Sequence, residues 1–385
     1  MKRKIIPVLI LTILAFTTVI PVAAMHHEKP VIVAHLKGAI EPDTQLDAMM
    51  NNITYIDWKV VLGDITSSDL SGASTLLMSL SDSSITYTSA ELSAIESWMS
   101  EGGKTIYISS DSDYGTDHLR QAQANAVLEA IDSRLRIDDC SAEDAVSNGG
   151  APYRVLGVST NVAPEMEFLV RGVERGLFHG PGIIVGYEEG EYIDLSSESM
   201  DDVYVIMTTS ETGIVVDNSE PAPNVMEAGS EGEFPLMVAE IDYANSNTII
   251  AAGEAPFDQY MGLYAPEMLR ADRYGADANP QQGEYLVKNI LKYSTVFNSK
   301  ILTQASEIIE QEAEIESLNE NIESLNTEVS DLESEVSTLE SQVTSLETDL
   351  EAAQSSASTM QLAAVAALVI GIVVGYFVGP MVKKE

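Results

Sequence analysis

The chain has 385 residues, 45% of them hydrophobic, and a formal net charge of −40 at pH 7. This length is enough for one large or two ordinary folded domains besides extended helical segments. Such an acidic surface excludes nucleic acid as a partner, because phosphate binding requires a basic face. The same charge suits a saline or cation-rich exterior and keeps a crowded surface protein soluble.

Residues 1–24 have the pattern of a secretory signal peptide. A basic start at 2–4 precedes an apolar run from Ile5 to Ile20, and the small residues Ala23 and Ala24 follow. This order predicts export, with a mature chain that begins near Met25. An uncleaved anchor helix is the alternative.

Short β-rich runs and helical segments alternate over the next hundred residues. Strands are predicted at 31–36, 55–61, 75–80 and 104–109, and helices at 44–51, 90–100 and 116–133. The second of these helices is expected to be capped by Ser89 and closed by Gly102 and Gly103. The alternation predicts a mostly parallel sheet with helices on both faces, of the Rossmann-like or flavodoxin-like class.

Beyond residue 135 the pattern is less regular. Further strands are predicted at 136–140, 168–172, 182–186, 203–208, 213–216, 236–241 and 248–252, and a closing helix at 284–293. The Gly, Asn and Pro content of 147–152 predicts a loop, and that of 221–232 a mobile connection. In the sequence His179-Gly180-Pro181-Gly182, Gly and Pro indicate a tight turn.

Residue types that can serve in catalysis or in metal binding follow the fourth predicted strand. Ser110, His118 and Asp111 have the residue types of a serine hydrolase, but the glycine-flanked G-x-S-x-G elbow is absent. Asp111, Asp113 and Asp117 are spaced like ligands of a hard cation, but the EF-hand pattern is absent. We interpret this run as a solvated acidic loop, with a Ca²⁺ site and a cryptic hydrolase as the alternatives. No other cofactor is expected.

Cys140 is the only cysteine, so an intrachain disulfide is excluded. We predict that Cys140 is buried, with an intermolecular link as the alternative. The neighbouring Asp138 and Asp139 should disfavour its thiolate. Asn52-Ile53-Thr54 is the single N-glycosylation sequon, predicted in a loop between a helix and a strand.

An ordered series of segments carries a family resemblance. A helix, a Gly-Gly step and a strand span 87–108, a helix and a strand follow at 124–138, a late hairpin occupies 233–254, and a last helix includes 289–293. In this order the head resembles the class I glutamine amidotransferase-like fold, in the non-catalytic branch of GldG-type proteins of ABC export systems and of intraflagellar-transport proteins. The family's catalytic members use a cysteine at a strand-to-helix turn, and this chain has none after its fourth strand. The resemblance therefore implies a head without amidotransferase activity, associated with a transporter.

From residue 301 to 350 the apolar residues follow a heptad repeat. β-Branched residues at a and Leu at d favour a parallel dimer, with a trimer as the alternative. At about 1.5 Å per residue the stalk would be about 75 Å long. Its predicted core positions are Ile308, Ile315, Leu318, Ile322, Leu325, Val329, Leu332, Val336, Leu339, Val343, Leu346 and Leu350. No Lys or Arg occurs between Lys300 and Lys383, and the acidic residues at the flanking e and g positions include Glu314, Glu328, Glu333, Glu335, Glu340, Glu347 and Asp349. Assembly therefore requires screening by salt, divalent cations or acid.

The apolar run at 362–380 is long enough to span a bilayer, after a short polar linker at 354–361. Lys383 and Lys384 predict that the tail at 381–385 is cytoplasmic. Gly371, Gly375 and Gly379 lie four residues apart on one helical face, a spacing that favours close packing of two membrane helices.

Together these segments predict a single-pass cell-membrane protein. An extracellular head at 25–299 is followed by a coiled-coil stalk at 300–353. We expect a non-catalytic binding or scaffolding role, with self-association, anchoring in the membrane, and an envelope lattice of archaeal type, a glycan or a transporter permease as possible partners. An accessory subunit of an ABC-type transport system is the first alternative, and the serine hydrolase is the second.

Overall fold

The computed structural model describes residues 29–37, 44–159, 162–257, 262–264, 281–294 and 298–378. The predicted signal peptide, Gly379 and the predicted cytoplasmic tail lie outside these residues. The chain forms two compact units, Met1–Glu307 and Ile308–Glu385.

The first unit contains fourteen strands and five helices among its described residues, together with the start of the final helix, and a short 3₁₀ turn at Pro164–Met166. The strands are β1 Val31–Leu36, β2 Asp57–Leu62, β3 Ala73–Met78, β4 Thr105–Ser109, β5 Leu135–Asp144, β6 Arg154–Val158, β7 Arg175–His179, β8 Gly182–Glu188, β9 Glu191–Ile193, β10 Val203–Thr208, β11 Gly213–Val216, β12 Glu231–Gly232, β13 Pro235–Asp242 and β14 Asn247–Ala252. The helices are α1 Thr44–Asn52, α2 Ser67–Leu70, α3 Ser89–Met99, α4 His118–Ala130, α5 Gly283–Lys292 and the long α6 Asn298–Val378.

The larger sheet has nine strands in the order β2-β1-β3-β4-β14-β13-β10-β6-β7. The first five strands are parallel, and every pair from β14 to β7 is antiparallel. The prediction of a mostly parallel sheet therefore holds for one half only, and the sheet is mixed. The short connection 243–246 explains the change, because a parallel pair would need a crossover of a dozen residues or more.

The smaller sheet has five antiparallel strands in the order β12-β11-β5-β8-β9. Cys140 and Val185, from its strands β5 and β8, belong to the same buried apolar cluster as Phe178 and Leu236 of the larger sheet. The two sheets therefore share one core, and this packing brings β5 close to the edge of the larger sheet.

Helix α3 begins one residue earlier than predicted. Its N-cap is Thr88, whose hydroxyl accepts from the Glu91 amide at 3.3 Å, while the Glu91 carboxylate accepts from the Thr88 amide at 2.8 Å. This reciprocal pair is a capping box, which satisfies two amide donors at the start of the helix. The chain then turns at Gly102, where a Cβ atom would lie 2.7 Å from the carbonyl oxygen of Asn245.

The predicted strand at 168–172 is wrong. The chain makes a series of turns there, and Met166, Leu169 and Val173 fill the core from those turns. Gly172 has a φ of +74°, which is outside the extended region that a strand requires.

The second unit consists of the greater part of helix α6. The helix runs without a break through the predicted linker at 354–361, where Ser358 and Thr359 donate hydrogen bonds to the carbonyl oxygens of Gln354 and Ser355. No Gly or Pro interrupts that stretch, so nothing there ends a helix. Among the described residues, the helical segment Ala313–Tyr376 contains a stretch that is long and apolar enough to cross a membrane, as expected for a membrane anchor.

Candidate ligand-binding cleft

The candidate site lies where the chain leaves β4. The carboxyl ends of the parallel strands meet at this edge of the sheet, where open α/β folds bind their ligands. Four successive polar residues, Ser110 to Asp113, are buried immediately after the strand. Buried polar groups are costly unless they have partners, so their contacts define the local structure.

A cleft of about 400 Å³ opens beside this segment. Small-molecule sites usually measure about 300 to 1,000 Å³, so the cleft is of a size that admits a ligand. Its walls come from the segment after β4, from β5, from the end of β7 and from the chain beyond β11. The lining residues are Asp111, Ser112, Tyr114, Asp117, Ser141, Ala142, Glu143, Tyr153, His179, Gly180 and Asn218.

Two carboxylates of the cleft share one guanidinium. Arg120 Nη1 lies 2.5 Å from Asp111 Oδ2 and 2.9 Å from Asp117 Oδ1, and Arg120 Nε donates to the carbonyl oxygen of Ser81 at 2.8 Å. Burial raises the pKa of Asp111 to about 7, with a further contribution from the charge of Asp117, although Arg120 acts in the opposite direction. Burial also raises the pKa of Asp117. The single positive charge of Arg120 therefore does not offset the effect of burial on the pKa of either aspartate.

Asp113 faces away from this pair and holds a different segment. Its carboxylate accepts from the side-chain amide of Asn218 at 2.8 Å, from the backbone amide of Asn218, and from the backbone amide of Ser219 at 3.3 Å. The Asn218 side chain also donates to Ser141 Oγ at 3.0 Å. These bonds place Asn218 in the wall of the cleft.

A second buried carboxylate ties down the same segment, residues 217–226, which we call the strap. Asp138 accepts from the backbone amides of Asn224, Val225 and Met226 at 2.6, 3.2 and 2.9 Å, and from the Asn224 side chain at 2.9 Å. The strap overlaps the connection that the sequence predicts to be mobile, and in the structure it is anchored at both ends.

The His179-Gly180-Pro181-Gly182 turn closes another side of the cleft. Gly180 has a φ of +62°, as expected for a glycine in a tight turn, and a Cβ atom on it would lie 3.4 Å from Ser112 Cβ. The His179 ring meets the Tyr153 ring edge to face, with centroids 5.5 Å apart, and the His179 amide donates to Glu254 Oε2 at 2.8 Å.

The three residues proposed for a hydrolase are not linked by hydrogen bonds. Ser110 is fully buried, and its Oγ donates to the carbonyl oxygen of Asp111 at 3.4 Å. His118 Nδ1 lies 2.6 Å from the carbonyl oxygen of Gly115, and the Asp111 side chain is bonded to Arg120 and to the Ser112 amide. The structure therefore does not join Ser110, His118 and Asp111 into a triad.

The three aspartates proposed for Ca²⁺ are divided between two sets of partners. Asp111 and Asp117 converge on Arg120, whereas Asp113 faces the strap. In the described part of the chain, no group of three His, Cys, Asp or Glu side chains is disposed to hold a metal ion.

The structure also describes the surroundings of Cys140 and of Asn52, the acceptor residue of the predicted glycosylation sequon. Cys140 is buried, as predicted, and burial together with Asp138, Asp113 and other nearby carboxylates raises the pKa of its thiol. Asn52 of the sequon is exposed at the end of α1, where its side chain donates to the Tyr264 hydroxyl at 3.0 Å.

A buried ion pair at the end of β1 has no counterpart in the sequence predictions. Lys37 Nζ lies 2.5 Å from Glu91 Oε1 and 2.7 Å from Asp64 Oδ1. Burial acts to lower the pKa of Lys37, but hydrogen bonds to Asp64 and Glu91 outweigh it, so the pKa is raised. Since Glu91 also caps α3, this pair connects β1 to α3 and has a structural role.

Comparison with known proteins gives only distant matches, and these are to solved structures. No family model matches the chain, and no curated protein matches it. Solved structures that match include the mmIFT52 N-terminal domain, with 10% identity and a TM-score of 0.42, covering 68% of this chain and 99% of that one. Another is a candidate GMP synthase component from Thermoplasma acidophilum, with 13% identity and a TM-score of 0.34, covering 74% of this chain and all of that one. Neither likeness assigns an activity or a residue role to this chain.

Proposed function

We propose that this chain is a membrane-anchored cell-surface binding protein whose non-catalytic α/β head is presented on a self-associating, parallel coiled-coil stalk. The observation that carries the proposal is the unbroken helix α6, which joins a heptad seam to a segment apolar enough to cross a membrane.

The heptad seam supports self-association because the described side chains at its a and d positions are exposed in the single chain. From Ile315 to Leu350, the residues at a and d expose 51 to 67% of their surface. A continuous apolar stripe of this length in water is unfavourable and indicates an interaction surface. The β-branched residues at a and the leucines at d are the combination that favours two parallel strands.

A second copy of the chain is the occupant that fits this seam. All copies anchored through the same end of α6 have the same direction, so a parallel arrangement in register follows from the anchor. Gly371 and Gly375 lie on one face of the helix, and a Cβ atom on either would meet nothing within 4 Å in the single chain. Small residues at this spacing allow two membrane helices to approach closely.

The head contributes the binding role. The cleft has the size of a small-ligand site, and its polar side chains are positioned by buried contacts. Ser110, His118 and Asp111 do not form a hydrogen-bonded triad, which favours binding over hydrolysis as the role of this edge.

Cysteine cross-linking of the full-length protein in membranes tests the assembly. Val336→Cys places a thiol at an a position, and Ser341→Cys places one at the outward f position of the same heptad, while Cys140 is buried. Mild oxidation should produce disulfide-linked dimers of the Val336→Cys protein and few of the Ser341→Cys protein, since a and d positions meet across the seam and f positions do not. Equal cross-linking of both variants, or none of either, would contradict the proposed stalk.

A further inference from the structure

Glu143 is the one acidic residue lining the cleft whose side chain has no ion pair or hydrogen bond with any residue that the structure describes. It lies on β5, opposite Ile214 of β11, and is partly exposed at the cleft. The other lining acids, Asp111 and Asp117, share Arg120, and the nearby Asp113 is satisfied by donors of the strap.

The charges of the cleft therefore do not balance. When both are ionised, Asp111 and Asp117 carry two negative charges against the single positive charge of Arg120, and Glu143 has no counter-ion among the residues that the structure describes. The pKa of Asp111 is raised by burial and by the charge of Asp117, which supports the same conclusion. A positively charged ligand group would lower this electrostatic cost, which is larger in a partly buried cleft than in open water.

The aromatic wall indicates which kind of cation would fit. Tyr114 lines the cleft with 70% of its surface exposed. At the rim, the Arg154 guanidinium already lies 5.1 Å from the centre of the Tyr153 ring, so this part of the molecule contains one stacked organic cation of its own. Aromatic rings attract ammonium and guanidinium groups through their negative faces. A cleft of about 400 Å³ is also much larger than a bare metal ion needs.

We propose that the cleft binds an ammonium or guanidinium group, with Glu143 as the counter-ion and Tyr114 as the aromatic contact. This inference rests on the proposed binding role of the head and specifies the ligand chemistry. The cation could belong to a free polyamine or to a Lys or Arg side chain of another protein, since both present the same group.

Calorimetric titration of the full-length protein in a non-ionic detergent at low ionic strength tests the proposal, with spermidine as the probe. Glu143→Gln removes the charge at nearly constant shape and should weaken binding about fivefold. Tyr114→Leu should weaken it about threefold. The matched control is Glu96→Gln, which removes the same charge from an exposed position of α3 outside the cleft and should leave the affinity unchanged.

A second titration uses an acetylated and amidated tripeptide, Gly-Lys-Gly, to distinguish the two sources. Tighter binding of spermidine supports a free polyamine, and tighter binding of the peptide supports a protein side chain. The proposal is overturned if neither probe binds saturably, or if Glu96→Gln weakens binding as much as Glu143→Gln. It is also overturned if Ca²⁺ binds with a dependence on Glu143 while Tyr114→Leu has no effect. Cross-linking of Val336→Cys in the same preparation separates failure of the cleft from failure of the stalk.

Discussion

The acidic flanks of the proposed stalk should oppose its assembly, because the heptad register places like charges opposite one another. In a parallel dimer, each g residue faces the e residue of the next heptad on the partner. Glu328 then faces Glu333, and Glu335 faces Glu340, and each of these like-charged contacts occurs twice. We therefore expect replacement of these four glutamates by glutamine to strengthen the dimer.

Exposed pairs of charges contribute about 0.2 to 0.5 kcal/mol each at low salt. Over the four contacts between the two chains, the total is about 1 to 2 kcal/mol, which corresponds to a dimer Kd about fourfold to thirtyfold tighter in the glutamine variant. Because the Debye length falls from about 10 Å at 0.1 M salt to about 3 Å at 1 M, high salt should remove most of this difference.

Sedimentation equilibrium of a peptide spanning residues 301–353 measures the dimer Kd without the membrane segment. The matched control removes four acids from the outward b, c and f positions, by Glu316→Gln, Glu320→Gln, Glu323→Gln and Asp331→Asn. If the control tightens the dimer as much as the e and g variant does, net charge and not the seam register is responsible. If the unaltered peptide dissociates as salt is raised, the assigned register is wrong.

Three further predictions concern the stalk core, the strap and the cleft. Leu332→Pro should abolish self-association of the same peptide, because Pro breaks both the helix and the seam, and circular dichroism with sedimentation measures the loss. Asp138→Asn should lower the free energy of unfolding by about 2 kcal/mol and expose the strap to limited proteolysis, because it weakens charge-assisted bonds to three backbone amides. Asp111→Asn should change the pH dependence of stability. The folded pKa of about 7 is above the ordinary value of 3.8, so the native protein binds this proton more tightly than the unfolded chain does. The stability advantage of the unaltered protein over Asp111→Asn should therefore grow as the pH falls from about 7 to about 4, and a constant difference in denaturant titrations would contradict this assignment.

The parallel half of the head could be predicted because its signals are local. Strands such as β1 and β4 are short apolar runs bounded by turns. Outside the parallel half, the antiparallel strands β10 and β11 also begin and end at the predicted residues. Strands β6 and β7 were missed because glycines interrupt their β pattern. At Gly157 a Cβ atom would lie 2.9 Å from the Phe178 ring and 3.0 Å from a Leu236 methyl group, so this glycine serves tertiary packing that no local pattern reveals.

The site was only partly predictable for the same physical reason. The sequence singled out Asp111 and Asp117, but the role of Arg120 depends on the turn of α4 that brings its guanidinium between them. Glu143 and Asn218 reach the cleft from the smaller sheet and from the strap, so only the pairing of β5 with β11 brings them together. The proposed export, glycosylation and self-association remain predictions.

A chain with a single cysteine has no intrachain disulfide to link its loops, and buried aspartates provide such links here. Asp113 and Asp138 fix the two ends of the strap, and Asp144 accepts from the amides of Val146 and Ser147 and from the hydroxyl of Ser210. A hydrogen bond to a charged acceptor contributes about 1.5 to 3 kcal/mol, so a carboxylate with several donors rivals a disulfide, which contributes about 2 to 4 kcal/mol.

Unlike a disulfide, such a link depends on the carboxylate remaining ionised. Burial acts to raise the pKa of Asp144, but its hydrogen bonds outweigh burial and lower it. The stability that Asp144 provides is therefore fully present above its ordinary pKa and is lost only as the pH falls through the lowered value.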